Sequence, residues 1–470
     1  MTMMTQLHHI FAAPMPPASR GNEDGGVVNV GTNAQLRAER RVPPMLTGVV
    51  LSIWALTAFG CLQGGQESAS PSTVLVFKHG KLSGDETVLP SLLHEFEQRH
   101  PGLIVREELL PSSSDQQHQY YAMNLDGGKA PFDLLAIDTV WVQEFAKAGW
   151  VGRLDDIVPM GEQGAFFPSA IEAATFEGRL YAVPWYIDAG MLYYRQDLLD
   201  RYGLTAPSTW DDLVHAATLI VNAEQDRQLS GFVWQGKQYE GLICTTLDVL
   251  RSYGTDLWTG DLDQAERGLQ FLRDTISTYN ISPPSTSMAD EESTRQIFGA
   301  GRAVFMRNWP YAWPLLQRQG SPVRGKIGMV PLPSVPGHTG APVLGGWLLA
   351  VAEKSPRRQM AGELIRFLTS PETQRLIAVK LGYNPTRRAL YSDAPVLEAR
   401  PELTALYPTL LQSQPRPVTP SYILLSQAAQ PEVSALVVGR KTPREVLNAV
   451  RRQTDRYANG DESPVIGARQ

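Results

Sequence analysis

The chain has 470 residues, 43% hydrophobic and 19% charged, enough apolar content for a large core in two or three domains or one bilobed unit. A net charge of −6 with scattered Lys and Arg excludes the basic face that a nucleic-acid binder needs to displace phosphate counterions. Cys61 and Cys244 are the only cysteines and no HExxH occurs, so a disulfide framework and a Cys-rich zinc site are excluded, and no metal or cofactor is expected.

Residues 1–44 are poor in apolar content and carry Pro14, Pro16, Pro17 and the Gly21/Gly25/Gly26 group, a composition that reads as a disordered or mis-started extension. Met45 to Gly60 is an uncharged apolar run after Arg37, Arg40 and Arg41. Its length suits a signal-peptide h-region and falls short of a spanning helix. The run ends at Ala58-Phe59-Gly60-Cys61, which resembles a bacterial lipobox. There the thiol is lipidated and becomes the new N-terminus. Ala58 and Phe59 depart from the Leu and small residue preferred at those positions. A buried helix with an ordinary core cysteine is the alternative. Translation from a later start, between Val27 and Val42, would shorten the long upstream stretch. Residues 61–72 then read as the lipidated Cys and a flexible tether.

From Val74 the pattern alternates short apolar strands with amphipathic helices. Val74 to Phe77 is a strand, Leu89, Leu92, Leu93 and Phe96 recur at helical spacing, and Pro101-Gly102 stops that helix. Leu103-Ile104-Val105 is the next strand, and Asp133 to Ile137 another, ending at Asp138. Ala361, Leu364, Ile365 and Leu368 mark a helix face, for which Ser355-Pro356 supplies N-cap and first-turn proline. Thr442-Pro443-Arg444-Glu445 fits a capping box opening the last helix, and residues 461–470 form a tail. Strand–helix alternation predicts α/β layers with mostly parallel sheets.

Nucleotide and nucleophile motifs fail. Gly320 to Lys326 has phosphate-loop spacing, but Ile327 stands where Ser or Thr must hold Mg²⁺. The adjacent pairs Asp155-Asp156, Asp211-Asp212 and Glu291-Glu292 include a plain helix cap, Asp211-Asp212 after Thr209. What stands out is aromatic residues interleaved with single carboxylates. The segments are Asp138 to Trp141, Trp185 to Gly190, Trp234 to Gly241, Asn308 to Trp313, and Gly345-Gly346-Trp347. A sugar is a disc with apolar C–H faces and a hydroxyl rim. Flat rings complement the faces, and carboxylates accept neighbouring hydroxyls. Each charged hydrogen bond contributes about 1.5–3 kcal/mol, so a few contacts and a ring suffice for micromolar affinity. For any single Trp, core packing is the competing reading.

Four stretches make the chain resemble an extracellular solute-binding protein of a sugar ABC importer, the maltose/trehalose-binding group. They are Phe132 to Leu154, Gly178 to Trp210, Glu291 to Trp313, and Lys326 to Arg387 with its GGW, FLTSPE and PTR order. The resemblance implies a two-lobed periplasmic-binding-protein type II fold with the ligand cleft between lobes. Lobe 1 is expected at 73–185 plus about 347–395, and lobe 2 at 186–346 plus about 396–460. Crossings are expected near Val183–Asp188, near Leu344–Trp347 and after Arg387. By the family pattern Asp138, Asp188 and Glu240 accept sugar hydroxyls, Trp309 stacks on a ring, and Tyr311 and Trp347 line the cleft. Gly345 and Gly346 let backbone approach the ligand, and Arg387 donates to an oxygen. His79, Lys81 and Asp85 match more loosely, with a solvated loop as the alternative.

The implied activity is that of a non-enzymatic, monomeric receptor for an α-glucoside di- or oligosaccharide. It delivers its ligand to permease subunits whose ATPase is separate, and it is held at the membrane by lipid on Cys61. A secreted glycoside hydrolase, which also uses aromatics and paired carboxylates, and a sugar-sensing lipoprotein are the rival readings. Trp150 and Phe145, Trp210, and Cys244 read as packing residues.

Overall fold

The computed structural model describes residues 73–128 and 131–458. The extension, the apolar run, Cys61, the tether and the tail therefore lie outside the described residues.

Leu- and Val-rich runs broken by Gly and Pro set the strands. β1 (Thr73–Gly80) and β2 (Leu103–Leu110) pair in parallel across the helix Val88–Arg99, which buries Leu89, Leu92, Leu93 and Phe96. Gly102, at φ 85°, makes the turn into β2 that Pro101 forces. The helix Ser114–Asp126 leads to β3 (Leu134–Asp138), parallel to β1 on its other side. β4 (Thr175–Phe176) and β5 (Arg179–Leu180) form a small hairpin. β6 (Val183–Ala189) and β7 (Met191–Arg195) are separated by Gly190 alone. β8 (Ser230–Val233), β9 (Ala303–Asn308), β10 (Ile327–Pro331) and β11 (Leu344–Val351) follow.

The other strands make two larger sheets, ordered β2-β1-β3-β11-β6 and β10-β7-β9-β8. Each has helices packed on it, which is the two-lobed α/β fold. The expected parallel character holds only in part. β11 runs antiparallel to β3 and β6, and β7 antiparallel to β9 and β10. β7 and β11 each enter their sheet from the other one. They start at the junction and run away from it, while their neighbours run toward it.

Three segments cross between the sheets. The first is Gly190, and the second runs from the end of β10 to Leu344. The third is at 413–416, where Leu344 N donates to Gln414 O (2.8 Å) and Gln414 N to Pro342 O (3.0 Å). A division at 185/186 or 346/347 would cut β6 or β11, which pair with each other in the first sheet. Before the third crossing, the helix Leu403–Gln412 packs on β6 and β10, one strand of each sheet. After it, the helix Tyr422–Val437 packs on the helices Glu240–Ser252 and Pro443–Ala458.

Capping follows the sequence at two helices. Thr209 and Asp212 form a capping box, and Thr442 and Glu445 exchange the same reciprocal bonds. Ser355 does not cap its helix. The helix Arg358–Leu368 starts later, and Ser355 Oγ instead accepts from Arg357 N (3.0 Å) and donates to the buried Asp133 (2.6 Å). Among the described residues no helix is long and apolar enough to cross a membrane.

Candidate functional site

Strands that run toward the junction deliver their last residues there, where ligands of open α/β sheets bind. β3 ends on Asp138. Across the ladder Asp138 faces Trp347 of β11, and Trp347 faces Tyr186 of β6, so the three stand abreast on one face of the sheet. Trp347 is half-buried, its ring edge-on to Trp141 at 5.4 Å. Tyr186 lies 4.4 Å from the ring of Tyr383. Asp188 is opposite Gly345 one step along, and accepts from Asn384 Nδ2 at 3.0 Å. Burial pushes the Asp188 carboxyl up to about 7, against the opposing pull of Arg400, Asn384 and Arg307.

The second sheet supplies the opposite wall. Trp309 follows β9, and its ring packs against Gly345. A Cβ there would come 2.8 Å from the ring, so Gly345 is required by close approach. Gly346 sits at φ 120°, a left-handed conformation strained for other residues. Trp309 Nε1 donates to Glu291 (3.3 Å), and Tyr311 OH to Glu292 (2.8 Å). The glutamate pair opening the helix Glu291–Gly299 thus orients two cleft rings.

Glu240, at the first turn of the helix Glu240–Ser252, is buried and accepts from Tyr422 OH (2.5 Å), Ser426 Oγ (2.5 Å) and Arg416 Nη1 (2.7 Å). Burial raises its carboxyl despite these partners. Arg416 also donates through Nη2 to Asp138 and to Thr139 Oγ1 (3.0 Å). One guanidinium, 3% exposed, therefore joins Asp138 of the first sheet to Glu240 beside the second. Burial works against its charge, yet Asp138 and Glu240 hold its pKa well above the usual arginine value. Its Nε is buried with no hydrogen-bond partner among the described residues, a donor still aimed at nothing. Asp115, at the start of the helix Ser114–Asp126, adds a further link, lying beside the Glu240 N–H and the Gln430 side chain. Burial raises its carboxyl.

Asp138, Asp188, Glu240, Trp309, Gly345, Gly346 and Trp347 thus lie around one junction, with Tyr311 on the Trp309 side of it. Arg387 does not join them. Its guanidinium stacks 4.8 Å over Phe166 and its Nε donates to Thr369 O, so ring and donor serve the first lobe's own packing. The arginine at the junction is Arg416. The sequence signal for it was a lone cation between Pro415 and Pro417, a dipeptide pattern that keeps a crossing segment extended. Tyr186 and Tyr383 were also missed, although Tyr186 sits two residues before Asp188 and so on the same strand face. Of the looser candidates, Lys81 pairs with Glu86 and Asp85 bonds Thr87 in an exposed loop. His79 is buried against Phe77 and Trp185 instead of solvated. Among the described residues no group of three His, Cys, Asp or Glu could hold a metal ion.

The chain's arrangement can be set beside known proteins. Residues 82–375 match the family described as bacterial extracellular solute-binding protein. A probable ABC transporter-binding protein of Deinococcus radiodurans is 36% identical over 372 residues, 76% of this chain and 87% of that protein. A mannitol-binding protein of Pseudomonas aeruginosa is 24% identical over 72% of this chain and 78% of its own length. Among solved structures, maltose-bound MalE3 of T. maritima is 37% identical, with a TM-score of 0.77, covering 81% of this chain and 99% of that one.

Proposed function

The chain belongs to the bacterial extracellular solute-binding protein family, and on that premise we propose that it is the sugar-binding component of an ABC importer. Its lobes close on an α-glucoside di- or oligosaccharide and pass it unaltered to a permease. The observation that supports this reading is that Asp138, Trp347 and Tyr186 stand abreast on one sheet while Trp309 of the other packs against Gly345, on the same strand as Trp347. Rings on both walls suit the two C–H faces of a pyranose better than a linear polyol. That favours the maltose type of ligand seen in the T. maritima protein over the mannitol type of the Pseudomonas one. Closure is favoured only by contacts that the sugar makes with both lobes at once. Export, and lipid on Cys61 as a membrane tether, complete the reading. One acyl chain binds a membrane marginally, and several anchor firmly.

A thermal-shift screen of about twenty saccharides and polyols tests it, because a ligand bound only by the folded state raises the melting temperature. Maltose-type disaccharides are expected to give the largest shift, and chromatography should return them intact. No shift with any saccharide, or hydrolysis by the purified protein, refutes the receptor reading; the latter outcome is the one the glycoside hydrolase reading requires.

A further inference from the structure

Among the buried charged clusters outside the sugar-contact residues, one lies against the Trp309 ring. Arg307, on β9, and Asp248, on the helix Glu240–Ser252, form an ion pair with both side chains 1% exposed. Arg307 Nε and Nη2 reach Asp248 Oδ2 at 2.9 and 2.6 Å, and Nη1 reaches Gln235 Oε1 at 3.0 Å. Both ends of this pair touch something that functions. The guanidinium plane lies 4.0 Å from the Trp309 ring centroid, on one of its faces. The other carboxylate oxygen of Asp248 accepts from Val343 N at 2.7 Å, on the second crossing. The same pair abuts the first crossing. A Cβ at Gly190 would stand 2.9 Å from both Arg307 Nη2 and Asp248 Cγ, so only glycine fits. The charge of Arg307 also reaches Asp188, where it opposes the upward push of burial.

We propose that Arg307 and Asp248 are positioning residues that tie the Trp309 platform to two of the three hinge crossings, so that a ring stacked on Trp309 and the hinge respond as one unit. The physical reason is the cost of any other arrangement. A pair this buried cannot separate without stranding a charge, so its members move together. Trp309 rests on one member, and the Val343 N–H hangs from the other. A push on the ring therefore reaches the crossing through two short, directional contacts, with no need to deform the intervening core. Gln235 keeps Arg307 in plane, since its amide NH₂ in turn donates to Arg307 O (3.0 Å) and Thr294 Oγ1 (2.8 Å). The sugar-linked half of this proposal rests on the receptor reading above; the hinge half does not.

The test uses the full-length protein, maltose as the probe, and two substitutions with different expected patterns. Arg307→Lys keeps a cation on Asp248 but removes the flat face under Trp309. The Val343 amide should keep its wild-type hydrogen-exchange protection, while maltose affinity falls about tenfold. Arg307→Met leaves Asp248 uncompensated. In sugar-free protein, exchange at Val343 should rise at least about tenfold, and maltose should no longer slow it. If Arg307→Met fails to fold, the Arg307→Met/Asp248→Ala double variant strands no charge but removes the acceptor of the Val343 N–H, and carries the same expectations. A merely structural pair would lower the melting temperature of these variants while folded molecules kept wild-type hinge protection and maltose-induced slowing. That result overturns the proposal. Should wild-type protein ignore maltose, the receptor reading is hit, and exchange at Val343 in the sugar-free variants still decides whether the pair holds the hinge.

Discussion

Arg416→Met removes a cation that bonds Asp138 of one lobe and Glu240 of the other, at similar side-chain volume. Asp138 keeps Thr139 Oγ1 (3.1 Å) and Val140 N (3.3 Å), and Glu240 keeps Tyr422 and Ser426. Both remain buried carboxylates without their counter-charge. Removing one partner of a buried pair costs about 3–5 kcal/mol. Because each carboxylate retains two hydrogen bonds, the combined loss should stay within that range. It falls mainly on the closed form, since opening separates Asp138 from Glu240 and lets water reach both. A loss of 3–5 kcal/mol lowers the closed-to-open ratio by about two to three and a half orders of magnitude. Solution X-ray scattering across a sugar titration reads this directly. Wild type should contract on saturation, and the variant should stay extended at concentrations that close wild type. Calorimetry on the same samples should show weaker binding to match. Contraction of Arg416→Met at the wild-type sugar concentration would falsify the view that this guanidinium clasps the lobes.

Other substitutions probe the walls separately. Trp309→Ala removes the apolar face and should weaken sugar binding by about 1.5–3 kcal/mol with little change in fold, read by calorimetry beside circular dichroism. Gly345→Ala places a methyl 2.8 Å from that same ring and should displace it. Affinity should fall about tenfold while the melting temperature barely moves, and an unshifted Trp309 in a crystal structure of the variant would count against the close-approach argument. Asp188 gives a pH signature. Its carboxyl titrates at about 7 folded against 3.8 in a free chain, so the unfolded chain ionises first and stability falls as pH rises through that interval. Asp188→Asn should abolish this slope and stabilise the sugar-free protein above neutral pH by on the order of 4 kcal/mol. Above that pH the same change should weaken sugar binding by about 1 kcal/mol, as a neutral acceptor replaces an ionised one. Parallel melting curves for both proteins from pH 4 to 8 would remove Asp188 from the buried, uncharged role.

The energetics of the junction explain why these effects separate. Contacts within one wall, such as the Trp347 ring on Trp141, exist whether or not the lobes meet. Contacts that span the gap, those of Arg416 with Asp138, of Asp115 beside Glu240 and of Trp309 on Gly345, should exist only when they do. Substitutions of the first kind should change affinity through the ligand, and those of the second through the conformational equilibrium.

Local chemistry was legible along the chain because it is decided within a few residues. The Leu89-to-Phe96 helix and its Pro101-Gly102 stop, the strand ending on Asp138, and the Thr442–Glu445 capping box depend on periodicity and near-neighbour hydrogen bonds that a linear text contains. The aromatic and acidic segments also announced a polyhydroxylated ligand, since ring faces and carboxylates are a property of composition. Pairings across hundreds of residues were not legible. That Arg416 and not Arg387 sits at the junction follows from Gln414 pairing with Pro342 and Leu344, which aims the extended Pro415-Arg416-Pro417 segment between the sheets. The mixed strand directions, the burial that lifts Asp188, and the Asp248–Arg307 link beneath Trp309 have the same origin. Each depends on which segment crosses from one lobe to the other and what it meets on arrival. Only the folded chain fixes that, because desolvation and charge pairing are set by neighbours in space.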